Sequence, residues 1–126
     1  MCVASRYINQ LEDILVQIKT DLNKLNKKKA YYDKLFNEYY HKIETAKFNA
    51  CEGYYLAKNF QDILQKRRLI KSELHRMKSL QNYLINTMSS KLPSAKRVVE
   101  KSKNTNQEWF ENFNFSFSDI EEEVMH

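Results

Sequence analysis

Residues 47–53 read Lys-Phe-Asn-Ala-Cys-Glu-Gly and decide the fold, because a long hydrophobic pattern runs on each side of them. The side-chain oxygen of Asn49 can accept a hydrogen bond from a free backbone N–H in the first turn of a helix. Glu52 stands three residues later, where its carboxylate can reach back to this cap. We therefore predict a turn at about 47–50, with a new helix beginning at about Ala50.

The hydrophobic pattern has the spacing of packed helices on both sides of this turn. Apolar residues recur at alternating steps of three and four, as at the a and d positions of a heptad. The two halves mirror each other about residue 48, so that position 36 falls level with 60. The sequence predicts an all-α fold built on a long antiparallel, coiled-coil-like helical hairpin, with helices at about 5–47 and 50–89. We call these positions the seam: Ile8, Leu11, Leu15, Ile18, Leu22, Leu25, Lys29, Tyr32, Phe36, Tyr39, Ile43 and Ala46, then Leu56, Phe60, Ile63, Arg67, Ile70, Leu74, Met77, Gln81, Leu84 and Met88.

Further apolar residues lie off the seam and widen the hydrophobic stripe. A hairpin of two helices cannot cover them, so either the C-terminal segment or a second chain must do so. We favour a homodimer that forms a four-helix bundle. The off-seam residues are Ile14, Tyr31, Leu35, Tyr40, Tyr55, Leu64, Leu69, Tyr83 and Ile85.

The chain is predicted to divide at about residue 90. Residues 1–90 form the hairpin, and residues 91–126 form a linker, a short third helix and a C-terminal tail. Leu92 precedes Pro93 and is biased away from helix, so Ser94 is expected to cap a helix at about 95–103.

The tail, residues 104–126, combines aromatic and acidic side chains. Three of its phenylalanines alternate with small polar residues, which favours an extended, strand-like segment. The rings either pack on the bundle or dock on a partner protein, in the alternating part by adding a strand to an exposed sheet edge. The candidate partner-binding residues are Trp109, Phe110, Phe113, Phe115, Phe117, Asp119, Glu121 and Glu122.

Charge is unevenly distributed along the chain. The net charge is +5, but all 21 Lys and Arg residues lie at or before Lys103, and six of the 16 acids lie in the tail. A basic belt is predicted where basic stretches of the two helices fall level, and it is either a solvated face or a phosphate-binding surface. Lys29 and Arg67 are charged residues at seam positions, and they fall level with each other across the hairpin. Either both extend their charged groups into water, or they need an anion from the tail or from a partner. The belt comprises Lys27, Lys28, Lys29, Lys66, Arg67, Arg68 and Lys71.

No pattern of catalytic residues is present, so we expect no enzyme and no cofactor. There is no GxSxG, P-loop or HExxH sequence. Cys2 and Cys51 have no CxxC pairing with His, so no metal site is predicted. The sequence shows no signal peptide and no run of about 18 apolar residues, which argues against a membrane and for a reducing cytoplasm.

Residues 45–75 resemble small, uncharacterised helical proteins encoded by phages and prophages of Gram-positive bacteria. The resemblance rests on Lys-Phe-Asn-Ala-Cys-Glu-Gly-Tyr-Tyr at 47–55 and Leu-Gln-Lys-Arg-Arg-Leu-Ile-Lys-Ser-Glu-Leu at 64–74. It implies a phage accessory protein in the host cytoplasm that binds, and in its specific form inhibits, a host or defence protein. The leading hypothesis is thus a non-enzymatic protein-interaction module; the alternative is a basic helical nucleic-acid-binding protein whose acidic tail modulates access.

Overall fold

The computed structural model describes residues 2–126, and these residues form five α-helices and no β-strand. The chain divides into two compact units. One contains the residues up to Val16 together with Tyr83–His126, and the other contains Gln17–Asn82. The helices are α1 (Val3–Thr45), α2 (Ala50–Met88), α3 (Lys91–Asn104), α4 (Gln107–Phe110) and α5 (Phe117–Met125).

The predicted turn between the first two helices is confirmed. The backbone N–H of Glu52 donates to Asn49 Oδ1 at 2.9 Å, and Asn49 Nδ2 donates to Glu52 Oε1 at 3.2 Å. The ring of Phe48, the residue before this cap, lies over Gly53, where an added Cβ would be 3.0 Å from ring atom Cδ2. This ring packs onto the first turn of α2 and fills the space that a side chain at position 53 would need.

The unit formed by 17–82 is the central part of the hairpin. α1 is continuous through the Lys27-Lys28-Lys29 run, and every seam position of this unit is buried or half-buried. The rings of Phe36 and Phe60, predicted to lie level, are stacked with centroids 5.6 Å apart. Because apolar burial stabilises by about 25 cal/mol per Å², this seam is the main attraction between the two helices. Its most buried residues are Ile18, Leu22, Ile63 and Leu74.

The unit formed by 2–16 and 83–126 has a smaller core, in which Ile8 and Leu92 are each 9% exposed. The predicted start of the third helix was wrong: α3 begins at Lys91, and Pro93 lies inside its first turn. Proline is tolerated there because the first backbone N–H groups of a helix have no partner within it. The burial of Leu92 outweighs the local bias of a residue that precedes proline. Leu11, at 41% exposure, is the one seam residue among those described that is exposed.

Candidate functional site

The tail carries a compact group of three rings, Trp109, Phe110 and Phe113, which we call the aromatic cluster. The ring centroids of Trp109 are 5.8 Å from Phe110 and 5.4 Å from Phe113, and Phe110 is 5.4 Å from Phe113. Two of these contacts are edge-to-face and one is stacked, the arrangements that aromatic quadrupoles favour. The cluster is built locally, because α4 places Trp109 and Phe110 on one short turn and the backbone N–H of Phe113 donates to the carbonyl of Phe110 at 3.0 Å.

The aromatic residues of the tail are not in the core. Trp109 is 62% exposed and Phe115 is 70% exposed. The other three rings, those of Phe110, Phe113 and Phe117, are also exposed. Large apolar side chains grouped on a surface mark interaction sites more often than scattered ones do. The rings are therefore exposed in the free chain, while their docking on a partner protein stays a prediction.

The strand-like reading of Phe113, Phe115 and Phe117 was wrong. Residues 111–116 form no strand, and Phe117 begins α5. The backbone N–H of Ser116 donates to Asp119 Oδ2 at 2.8 Å, and its hydroxyl lies 3.1 Å from the same oxygen. Asp119 thus holds the start of a helix, where its negative charge is also favourable. Strand addition to a sheet edge therefore loses its structural basis.

Acidic side chains of α5 occupy two environments. Asp119 and Glu122 are exposed, whereas Glu121 is half-buried and forms an ion pair with Arg6 in the first turns of α1. A second ion pair, between Glu12 and Lys96, joins α1 to α3 within the same unit. The sequence placed Glu121 among the partner-binding acids; in the structure its carboxylate pairs within the chain.

The basic belt is split between exposed and half-buried cations. Lys27, Lys28, Lys66 and Arg68 are exposed, and Lys29, Arg67 and Lys71 are half-buried. A shallow groove beside Arg68 and Lys71 also includes Gln61, Leu64 and Gln65.

Asp33 is the anion that pairs with the seam cation Arg67, and it was not predicted from the sequence. Arg67 Nε donates to Asp33 Oδ1 at 2.6 Å, and the Arg67 guanidinium lies 4.7 Å from the ring centre of Phe36. The hydrogen bond from Arg67 lowers the pKa of Asp33 more than partial burial raises it, and the charges of Arg67, Lys71 and Lys29 lower it further. Asp33 lies four residues after Lys29, one turn along α1, and this spacing was the signal available in the sequence.

The thiol of Cys2, directly before α1, accepts hydrogen bonds from a neighbouring serine. Its Sγ lies 3.2 Å from Ser5 Oγ and accepts from the Ser5 backbone N–H at 3.4 Å. These hydrogen bonds, and to a smaller extent the charge of Lys103, lower the pKa of the Cys2 thiol below its usual value. Cys51, at the start of α2, is exposed and free.

Over residues 2–126, no three His, Cys, Asp or Glu side chains are grouped so that they could hold a metal ion. Within the same range, none of the helices is both long enough and apolar enough to cross a membrane. Comparison with protein-family models, with curated proteins and with solved structures finds no match for this chain.

Proposed function

We propose that the chain is a non-enzymatic helical protein-interaction module that binds another protein through the aromatic cluster. One observation carries the proposal: Trp109, Phe110 and Phe113 contact one another, yet each ring is at least half exposed. Aromatic side chains of this kind are the usual anchors of protein interfaces. Phe115, Phe117 and Asp119 line one groove together with Phe110 and Phe113, and they extend the same surface.

Apolar burial, more than charge, would supply the affinity. Fully burying one large apolar side chain contributes about 1.5–3 kcal/mol, so three rings outweigh the exposed carboxylates, which contribute about 0–1 kcal/mol each and are screened by salt. The acids of α5 would orient the tail against a partner and speed encounter.

The test is affinity capture from a bacterial lysate at physiological salt. The full chain is compared with a Trp109→Ala/Phe113→Ala variant and with a Glu122→Gln/Glu123→Gln variant. We expect the aromatic variant to lose the captured protein while helix content and melting temperature stay unchanged, and the acid variant to retain most of the binding. Greater loss in the acid variant would show that charge dominates.

Self-association is the second part of the proposal, in the form of a homodimer that builds a four-helix bundle. The support is the number of off-seam apolar residues that remain exposed, among them Tyr31, Tyr40 and Leu69. Sedimentation equilibrium at tens of micromolar should give a mass near twice 15.2 kDa or higher. A clean monomer would contradict this part and leave tail binding untouched.

The biological form of the proposal is a phage accessory protein that acts in the host cytoplasm and inhibits a host or defence protein. Its support is the resemblance of residues 45–75. The test is to purify the captured protein and to measure its activity with the full chain and with the Trp109→Ala/Phe113→Ala variant. We expect loss of activity with the full chain only.

Nucleic-acid binding is the second candidate function, and the exposed cations of the basic belt favour it. Lys27, Lys28, Lys66 and Arg68 all reach solvent in the central unit of the hairpin. A protein that binds DNA through phosphate contacts loses affinity steeply as salt rises. Binding to non-specific DNA that weakens only slightly between low and physiological salt, or is absent at both, would exclude this candidate.

A further inference from the structure

A second line of side chains with heptad spacing runs along α2, beside the seam. It consists of Asp62, Lys66, Leu69, Glu73 and Arg76, at steps of four, three, four and three, and we call it the second stripe. All five residues are exposed, and Leu69 is 68% exposed, a high value for leucine. A single exposed leucine is ordinary on a protein surface. Leu69 is distinguished by the pattern of charged residues on either side of it along the second stripe.

The charges of the second stripe reverse their sign about Leu69. Asp62 stands seven residues before Leu69, and Arg76 stands seven residues after it. Lys66 stands three residues before it, and Glu73 stands four after it. If two copies of this stripe are laid side by side in opposite directions about Leu69, every charge of one meets the opposite charge of the other.

We propose that the second stripe is the surface through which α2 binds α2 of a second copy, antiparallel, about a two-fold axis at Leu69. The two Leu69 side chains would meet at the axis, Lys66 would face Glu73 of the other copy, and Asp62 would face Arg76. A two-fold interface uses the same patch on both subunits, so the patch must complement itself, and the second stripe does. A partner with charge of one sign would match only half of it.

The position of the second stripe on α2 fits a bundle. Each of its residues directly precedes a seam residue, as Lys66 precedes Arg67 and Glu73 precedes Leu74. One residue turns an α-helix by about 100°, so the second stripe lies on the flank next to the seam. Through these two faces α2 can pack on α1 and on another helix at once, as helices of four-helix bundles do.

One local ion pair joins two charges of the second stripe. Arg76 Nη1 lies 2.5 Å from Glu73 Oε1 in the same chain, with both side chains more than half exposed. Glu73 therefore already has one cation on this face, and Lys66 of a second copy would add another. This inference rests on the proposed self-association and names the surface that carries it.

The test exchanges charges across the predicted axis. Lys66→Glu alone, or Glu73→Lys alone, brings like charges together twice in every dimer, and we expect each to raise the dimer dissociation constant by at least about tenfold. An equimolar mixture of the two variants pairs opposite charges at both contacts. We expect the mixture, and also the Lys66→Glu/Glu73→Lys double variant, to recover most of the wild-type affinity in sedimentation equilibrium.

Leu69→Lys and Leu64→Lys make the same chemical change on opposite flanks of α2, so the second is the matched control for the first. Leu69→Lys places two ammonium groups face to face at the axis, and we expect it to abolish the dimer. Leu64 follows seam residue Ile63 and is 38% exposed, so Leu64→Lys changes the other flank and should leave the dimer intact. Helix content by circular dichroism shows that each variant still folds.

The possible results distinguish the α2–α2 interface from self-association in general. A wild-type chain that stays monomeric at all concentrations overturns both. A dimer that Leu69→Lys leaves unchanged, or that both charge variants weaken without recovery in the mixture, overturns this interface and leaves self-association standing. Loss of lysate binding in the aromatic variant bears on neither.

Discussion

Arg67 Nε lies 2.6 Å from Asp33 Oδ1, and this ion pair joins the two helices of the central hairpin at a position where the apolar seam is interrupted. Side chains at seam positions are largely removed from solvent, so a half-buried guanidinium without an anion would be unfavourable there. Asp33 supplies the anion, and the ring of Phe36 covers one face of the guanidinium. The interruption is therefore compatible with a continuous hairpin.

The first prediction concerns the pH dependence of this pair. The pKa of Asp33 is lowered in the folded chain, so the pair stabilises the fold above the unfolded value of about 3.9, and its contribution is lost as pH falls through the lower folded pKa. Asp33→Asn should lower the free energy of unfolding at pH 7 by about 1 kcal/mol or less, because the pair is partly exposed. The gap between wild type and variant should narrow below about pH 4.

Urea unfolding at several pH values measures this effect. Glu38→Gln, a change to an exposed acid on the same helix, is the control and should shift stability little. A gap between wild type and Asp33→Asn that is the same at low and neutral pH would mean that the charge of Asp33 contributes nothing.

The second prediction concerns the cap of α2. Asn49→Ala removes the acceptor for the Glu52 backbone N–H and should cost about 1 kcal/mol, the usual value for loss of an N-cap side chain. Asn59→Ala makes the same chemical change within α2, where alanine is the better helix former, and should be neutral or slightly stabilising. Thermal unfolding compares the two. Equal losses in both variants would show that Asn49 does not act as a cap.

The third prediction concerns the seam. Leu74 is 4% exposed, the lowest value among the buried core residues described, so Leu74→Ala should cost about 2–5 kcal/mol through lost burial and a cavity. Leu64→Ala on the exposed flank of the same helix should cost much less. If chemical denaturation gives similar losses for both, the seam is not the core of the hairpin.

The fourth prediction concerns the thiol of Cys2. Because hydrogen bonds from Ser5 lower its pKa, Cys2 should be alkylated at a lower pH than an ordinary cysteine. Ser5→Ala removes the hydroxyl contact and should move the alkylation profile to higher pH. A Cys51→Ser background isolates the signal of Cys2. An unchanged profile would mean that the Ser5 hydroxyl does not stabilise the thiolate.

The hairpin could be predicted from sequence because its determinants are local and repeated. The heptad steps fix which faces of two helices meet, and the Asn49–Glu52 cap fixes where the chain turns. Together they also placed Phe36 level with Phe60. Asp33 was missed because it lies on the flank of the seam, where the periodicity of apolar residues carries no information about charge partners.

The C-terminal third was harder to predict because short elements depend on a few competing contacts. The phenylalanine alternation at 113–117 suggested a strand, but the hydrogen bonds of Ser116 with Asp119 start a helix at Phe117 instead. In the same way the burial of Leu92 draws Pro93 into the first turn of α3. The residues of the aromatic cluster were identifiable from composition, whereas their exposure was not.

The fluorescence of Trp109, the single tryptophan, reports directly whether the aromatic cluster is left open for a partner. In the free chain at low concentration, we expect emission typical of tryptophan in water and efficient quenching by acrylamide. Titration with the captured protein should shift the emission to shorter wavelength and suppress quenching, with no such change in a Phe110→Ala/Phe113→Ala variant. Blue-shifted, poorly quenched emission from the free chain would show that the cluster is already buried and is not open to a partner.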